Sequence, residues 1–196
     1  LWQGLYHPDA EEAFPSVEDF RRWRGREHAH CVGILFFRTY WANGDLGIVN
    51  DLIRELEKNV DVLPAFCFSM GDRDLGAKSS GEVVKEYFQG RVDAVINLQS
   101  IFHAGSADAS VLALKELDVP VFHPLTVYHK SQEEWLEDVH GLSSSEVGWS
   151  MALPEFEGLI EPILAGVSAR DEIIGMEYEK HRGVADRIRK VASRVS

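Results

Sequence analysis

The sequence predicts an α/β fold of three layers, a mostly parallel sheet with helices on both faces, of the flavodoxin/Rossmann-like kind. Three observations carry this reading. Strand-like apolar runs alternate with amphipathic helical segments from residue 31 onward, which implies right-handed crossovers between parallel strands. The first of those runs, Cys31 to Phe37 (CVGILFF), is unbroken, as in a strand covered on both faces. A length of 196 residues suits one well-buried core and is short for two.

Taken in order, residues 1–30 form a mixed lead-in: Gly4 to Asp9 reads as turn-rich chain, and Val17 to Arg24 as a short helix with Phe20 and Trp23 inward. After the loop Arg38 to Gly44, Asp45 is placed to cap a helix whose Val49, Leu52, Ile53 and Leu56 follow helical spacing. Asp61 to Phe68 is the next strand, Gly81 to Phe88 a helix with Val83, Val84, Tyr87 and Phe88 inward, and Asp93 to Leu98 a third strand. A helix over Ser110 to Leu117 precedes a fourth strand starting at Val119 to Phe122. Ser131 with Glu134 has capping-box spacing and opens a helix bearing Trp135, Leu136 and Val139. Ser143 with Glu146 repeats it, for a helix with Val147, Met151 and Ala152 inward that Pro154 should end, leaving Glu155 on irregular chain. Glu161 to Val167 is the candidate fifth strand, and Tyr178 to Val195 a closing helix with Val184, Ile188, Val191 and Val195 on one face. The expected organisation is one domain over 1–196: lead-in 1–30, α/β core 31–167, C-terminal helix 178–195. Since the first residue is Leu, the chain is expected to be a piece of a longer one.

A net charge of −12 excludes an ordinary duplex nucleic-acid binder, which needs clustered cations. No run of about 18 apolar residues offers a membrane span. LWQGLYHPDAEE lacks the basic front and apolar core of a signal peptide, so a cytoplasmic protein is expected. Cys31 and Cys67, without CxxC spacing, read as buried free thiols, and His28 and His30 more as structural imidazoles than as metal ligands.

In open parallel sheets, ligands bind beyond the carboxyl ends of the strands. The residues there are Arg38, Tyr40, Trp41, Asn43 and Asp45 after the first strand; Ser100, Phe102, His103 and Gly105 after the third; and His123, Tyr128, His129 and Lys130 around the fourth. No GxGxxG, GxxxxGK(S/T) or GxSxG motif is present, so dinucleotide binding, nucleotide hydrolysis and serine hydrolase chemistry lack their loops. Glu155, Glu157 and Glu161 crowd one proline-broken span. From the residues alone, no complete reaction emerges.

Over nearly its whole length, the sequence resembles the large subunit shared by cobaltochelatase (CobN type) and magnesium chelatase (H type). The resemblance rests on GLYHPDA, VGILFFRTYWANGD, DVLPAFCFS, DAVINLQSIFHAG, LDVPVFHPLTVYHKSQEEW, GLSSSEVGWSMALPEFEGLIEPILAG and the trailing DRIRKVASR. It implies an internal domain of a subunit that receives a tetrapyrrole (hydrogenobyrinate diamide or protoporphyrin) and inserts cobalt or magnesium as substrate ion. ATP is then consumed by separate AAA+ ATPase subunits, and the remaining domains of the large subunit are partners too. On this resemblance Glu155 is the acid of the LPE motif, a candidate catalytic residue and metal ligand. Arg38, Tyr40, Trp41, His103 and Glu161 are candidate substrate contacts, and His103 a second candidate metal ligand. FRTYWANGD favours the cobalt side. Two alternatives stay open: a scaffold domain without chemistry, and a small-ligand module alike in fold only.

Overall fold

The computed structural model describes residues 1–25, 27–100, 102–173 and 176–196, the side chains of 171–178 being left aside. Along the chain run β1 (Gly4–Leu5), α1 (Val17–Arg24), β2 (Cys31–Phe37), α2 (Arg38–Asn43), α3 (Gly47–Leu56), β3 (Asp61–Cys67), β4 (Met70–Asp72) and β5 (Ala77–Ser79). Then come α4 (Ser80–Val83), continuing as a π-helical turn (Val84–Phe88), β6 (Ala94–Asn97), α5 (Ala107–Leu117), β7 (Val121–Phe122), β8 (Leu125–Val127) and α6 (Gln132–Glu137). Last are α7 (Ser144–Val147), a second π-helical turn (Gly148–Ala152), α8 (Leu153–Glu157), β9 (Leu164–Ile173), β10 (Met176–Gly183) and α9 (Ala185–Val195).

The main sheet has the order β1-β3-β2-β6-β7, in which β3, β2, β6 and β7 are parallel and β1 is an antiparallel edge. The alternation of side chains explains why its central strands read as continuous apolar runs. Val32, Ile34 and Phe36 of β2, Val62 and Phe66 of β3, and Ala94 and Ile96 of β6 enter one core with α3 and α9. Their neighbours Cys31, Leu35, Leu63, Ala65, Cys67 and Val95 enter a second core with α1, Val83 and Val84, Tyr87 and Phe88. Both faces are buried, as a parallel sheet requires.

A second sheet, β10-β9-β8, departs from the single sheet expected. His123 and Pro124 follow β7, and a proline cannot donate to the ladder, so β8 leaves the main sheet and pairs with β9. The expected fifth strand therefore starts later, at Leu164, behind Pro162 and behind Glu161 at a φ of 57°. Ile160 joins the main sheet through a parallel bridge to Phe122. Residues 178–183, read as the start of the closing helix, belong to β10, which pairs with β9 from Met176↔Ile173 to Gly183↔Gly166. Charged helix formers such as Glu179, Lys180 and Arg182 gave no local sign of a strand; the ladder overrides their propensity. From Ala185 the helix is real, burying Ile188, Val191 and Ala192.

Between the two sheets lies α3, with Ile48, Val49, Leu52, Ile53 and Leu56 all buried. It meets β2 and β3 on one side and β10 and α9 on the other. Small residues allow the approach: a Cβ on Gly47 would stand 2.4 Å from the carbonyl oxygen of His181, and one on Gly166 2.1 Å from Ile48 Cδ1. Asp45 does not cap α3, whose N-cap is Leu46 without a side-chain bond. Its carboxylate instead accepts the backbone N–H of His181 at 2.8 Å and meets that ring at Nδ1, 2.5 Å away. Burial alone would raise the Asp45 pKa, but the two bonds from His181 hold it below the ordinary range.

Other local expectations divide similarly. The capping boxes Ser131/Glu134 and Ser143/Glu146 form. Pro154 does not end its helix. The π-helical turn ahead of it, in which Leu153 N–H reaches back to Gly148, absorbs the offset, and Pro154 sits in the first turn of α8 where no backbone donor is needed. Two residues expected inward are exposed instead, Trp23 at 42% and Val147 at 40%, and Leu136 and Val139 are exposed too, at 66% and 92%.

Two outcomes follow for stability. Gly47→Ala gains helix propensity of up to about 1 kcal/mol, yet the added methyl meets fixed backbone, and overpacking costs about 1–3 kcal/mol. Denaturant melts of the 1–196 chain should show a net loss, whereas a gain would contradict the close approach. Asp45→Asn should destabilise at neutral pH. Because the Asp45 pKa is depressed in the folded chain, its contribution is present above the unfolded carboxyl value and lost as pH falls. The gap between wild type and variant should therefore close below about pH 4, the unperturbed range for Asp.

Candidate functional site

The parallel strands follow the order β3-β2-β6-β7, so the chain passes from β2 to β3 on one side and then from β3 back to β6 on the other, and the strand order reverses between β2 and β6. Ligand crevices form at such a point, outside the carboxyl ends of the strands. A pocket of about 400 Å³ lies there, lined by Phe37, Arg38, Thr39, Cys67, Phe68, Ser69, Met70 and His103. Its surface is predominantly apolar. It thus joins the residue after β2, the stretch after β3 and the loop after β6.

Arg38 opens α2 directly behind β2. Its Nε donates to the Leu1 carbonyl at 2.8 Å, and its guanidinium lies over the Trp2 ring at 4.6 Å and 6.0 Å from the Trp41 ring. No carboxylate pairs with it among the described residues. In a chain of net charge −12, that leaves a positioned cation for an anion. Across the pocket, His103 accepts the Gly105 N–H on Nδ1 at 3.1 Å, so a neutral ring carries its proton on Nε2. In that tautomer it offers a donor, which suits a carboxylate and not a metal ion. Trp2 and Phe68, 6.5 Å apart edge to face, continue the apolar surface.

The floor is a buried polar network centred on Gln99. Its Nε2 donates to the Phe36 carbonyl and to Cys67 Sγ, both at 3.3 Å, while Oε1 accepts the Ser80 hydroxyl at 2.6 Å. Gln99 and Asn97 exchange two further bonds at 3.1 Å. The Gln99 side chain therefore joins the ends of β2 and β3 to the start of α4, while its backbone is held by the Asn97 side chain at the end of β6. Burial pushes the Cys67 thiol up to about 11, so it serves as an uncharged acceptor here. The sequence reading missed this network because its candidates after the third strand began at Ser100, one position late. It also passed over Phe68 and Met70, which follow the second strand and whose signal was position alone.

Other expected site residues are engaged elsewhere. Trp41 is stacked on Phe66, with centroids 4.6 Å apart and planes at 7°. Tyr40 shares a 2.9 Å bond with Tyr128, and burial raises both phenols above their usual value. With Asp45 and His181 they form the seam between the sheets. Glu161 is held by Arg194 of α9 at 2.5 Å, and that partner lowers its pKa. Glu155 is exposed in the middle of α8, not on irregular chain, and is not among the residues lining the pocket of Arg38 and His103. Its helix packs on α5 and leads, through a left-handed turn at Gly158, into Ile160, which bridges Phe122 in parallel. Glu157 beside it is raised by burial. Among the described residues no group of three or more His, Cys, Asp or Glu could hold a metal ion, and His28 bonds Asp61 at 3.2 Å.

Comparison with known proteins places these features. An uncharacterized protein of Methanocaldococcus jannaschii, MJ1441, is 38% identical over 206 residues, covering 99% of this chain and 16% of the relative. The chloroplastic magnesium-chelatase subunit ChlH of Oryza sativa subsp. indica is 29% identical, covering 92% of this chain and 14% of the relative. The solved catalytic subunit of cobaltochelatase from Mycobacterium tuberculosis shares the fold, with a TM-score of 0.70 and 22% identity over 100% of this chain and 15% of that one. The chain thus spans only 14–16% of the length of these curated relatives. The model of the CobN/Magnesium Chelatase family matches residues 1–196, from end to end, and the chain belongs to that family.

Proposed function

We propose that this chain acts as one domain of the large, tetrapyrrole-handling subunit of an ATP-dependent metal chelatase, and that the reaction inserts cobalt into a corrin-type ring such as hydrogenobyrinate diamide. The observation that carries the reading is Arg38. It is a stacked guanidinium without a carboxylate partner among the described residues, at the rim of an apolar pocket on the strand-reversal point. A tetrapyrrole presents a broad apolar face edged with polar substituents, and Arg38 with the His103 N–H suits that edge. Trp41 contributes by supporting the guanidinium, while Tyr40 and Glu161 act through the scaffold.

Insertion must strip water from the ion and take two protons from ring nitrogens. A carboxylate can ligate the ion and accept a proton, and Glu155 is assigned that role, on a wall separate from the pocket and enclosed by the rest of the subunit. The ion is substrate, so no resident metal cage is needed. ATP is consumed by AAA+ partner subunits in the cytoplasm, which agrees with the missing phosphate loop. No helix among the described residues is long and apolar enough to cross a membrane. A second reading, magnesium into protoporphyrin, is favoured by the relatives named as magnesium-chelatase subunits in Oryza sativa and Chlorobaculum parvum. FRTYWANGD weighs against it.

Both roles are tested in the full-length subunit with its ATPase partners. Arg38→Gln should weaken macrocycle affinity by about tenfold or more, since a charge-assisted hydrogen bond contributes about 1.5–3 kcal/mol. Glu155→Gln should leave affinity in place and slow insertion by about 10²–10⁴-fold, the usual contribution of a positioned acid or base. Unchanged affinity removes Arg38 from the site, and unchanged insertion makes Glu155 structural and the domain a scaffold.

A further inference from the structure

The stretch from residue 131 to 161 contains eight Asp and Glu and no Lys or Arg. Half of those acids have local duties: Glu134 and Glu146 close capping boxes, Asp138 is bound to Lys130, and Glu161 to Arg194. Glu133, Glu137, Glu155 and Glu157 have no ion pair among the described residues. The same stretch exposes large apolar side chains. Phe156 is 86% exposed and Trp149 59%, while Leu136 and Val139 of the preceding segment point out as well. Trp149 and Phe156 point outward from the helical run from α7 to α8, with half-buried Leu153 between them at helical spacing, while Met151 packs inward on the small core of the second sheet.

An apolar ridge this large standing in water, edged by uncompensated acids, has the composition of an interface. A second copy of the same face is disfavoured, because acid would meet acid. We infer that the face formed by α6, α7 and α8 docks another domain of the same long subunit, one that offers an apolar groove rimmed by Lys and Arg. This rests on the reading of the chain as one domain of a long subunit, and deepens it. On the isolated domain Glu155 stands in open solvent; a docked domain beside Phe156 supplies the second wall that an insertion site at Glu155 needs.

The test is hydroxyl-radical footprinting of the full-length subunit without ATPase partners, followed at Trp149 and Phe156 with exposed Trp23 as internal reference. Both should be oxidised at least about tenfold more slowly than their exposure in this domain implies, equivalent to an opening free energy of about 1.4 kcal/mol or more. High salt and the Glu133→Lys/Glu137→Lys double variant should each restore part of the oxidation, through weakened charge pairing. Phe156→Glu should restore it at Trp149. Free oxidation of both residues overturns the inference. So does protection that rises with subunit concentration, which signals a second copy, or protection that needs added ATPase subunits, which assigns the face to them. The footprint does not depend on turnover, so protected residues with no effect of Arg38→Gln or Glu155→Gln would remove the chelatase roles and leave the docking face intact.

Discussion

The whole arrangement depends on α3 being buried on two sides. Most surface helices cover one face of a sheet and give the other to water, but Ile48, Val49, Leu52, Ile53 and Leu56 leave α3 no apolar residue to expose. Something must cover its second side, and β9, β10 and α9 do so. Close approach of their backbones is feasible because Gly47 and Gly166 have no Cβ where contact is tightest. The seam of Tyr40, Asp45, Tyr128 and His181 then closes one end of that contact with hydrogen bonds made inside the fold.

Rigidity at that seam reaches the pocket. Arg38 opens α2 and Tyr40 is in the same helix, so the bond from Tyr40 to Tyr128 fixes the frame from which the guanidinium projects. From beneath, Gln99 with Asn97 ties the ends of β2, β3 and β6, each of which contributes to the lining or leads into it. The pocket is thus held from two independent directions, one through the second sheet and one through the main sheet. A planar ligand would meet walls set before it arrives, which lowers the ordering cost of binding.

How much of this could be read beforehand depended on which signal is local. Continuous apolar runs at β2 and β3 and the spacing in α3 come from burial on sheet faces, and both gave the right elements. Capping boxes at Ser131 and Ser143 are local chemistry and were equally legible. By contrast, β10 is made a strand by its partner β9, which no short window contains, and Leu136 and Val139 follow helical patterning without facing this domain's core. Proline at position 154 carries both readings, a helix end or a first-turn residue, and the π-helical turn decided between them. Arg38 and His103, both named from their places after strands, line one pocket because topology places strand ends together. Gln99 was missed because a buried glutamine announces itself only through its partners, and the separation of Glu155 from the pocket depends on a crossover that sequence order alone does not fix.

Together these features give the domain two distinct faces, an apolar pocket with a stacked cation and an acidic ridge around Glu155. The central claim is that the pocket of Arg38 and His103 receives the edge of the macrocycle. Its most direct test is a structure of the full-length subunit bound to hydrogenobyrinate diamide. The account predicts ring density against Phe68 and Met70, with a peripheral polar group within hydrogen-bonding reach of the Arg38 guanidinium and His103 Nε2. A ring seated elsewhere, with this pocket empty or filled by another part of the subunit, would contradict it.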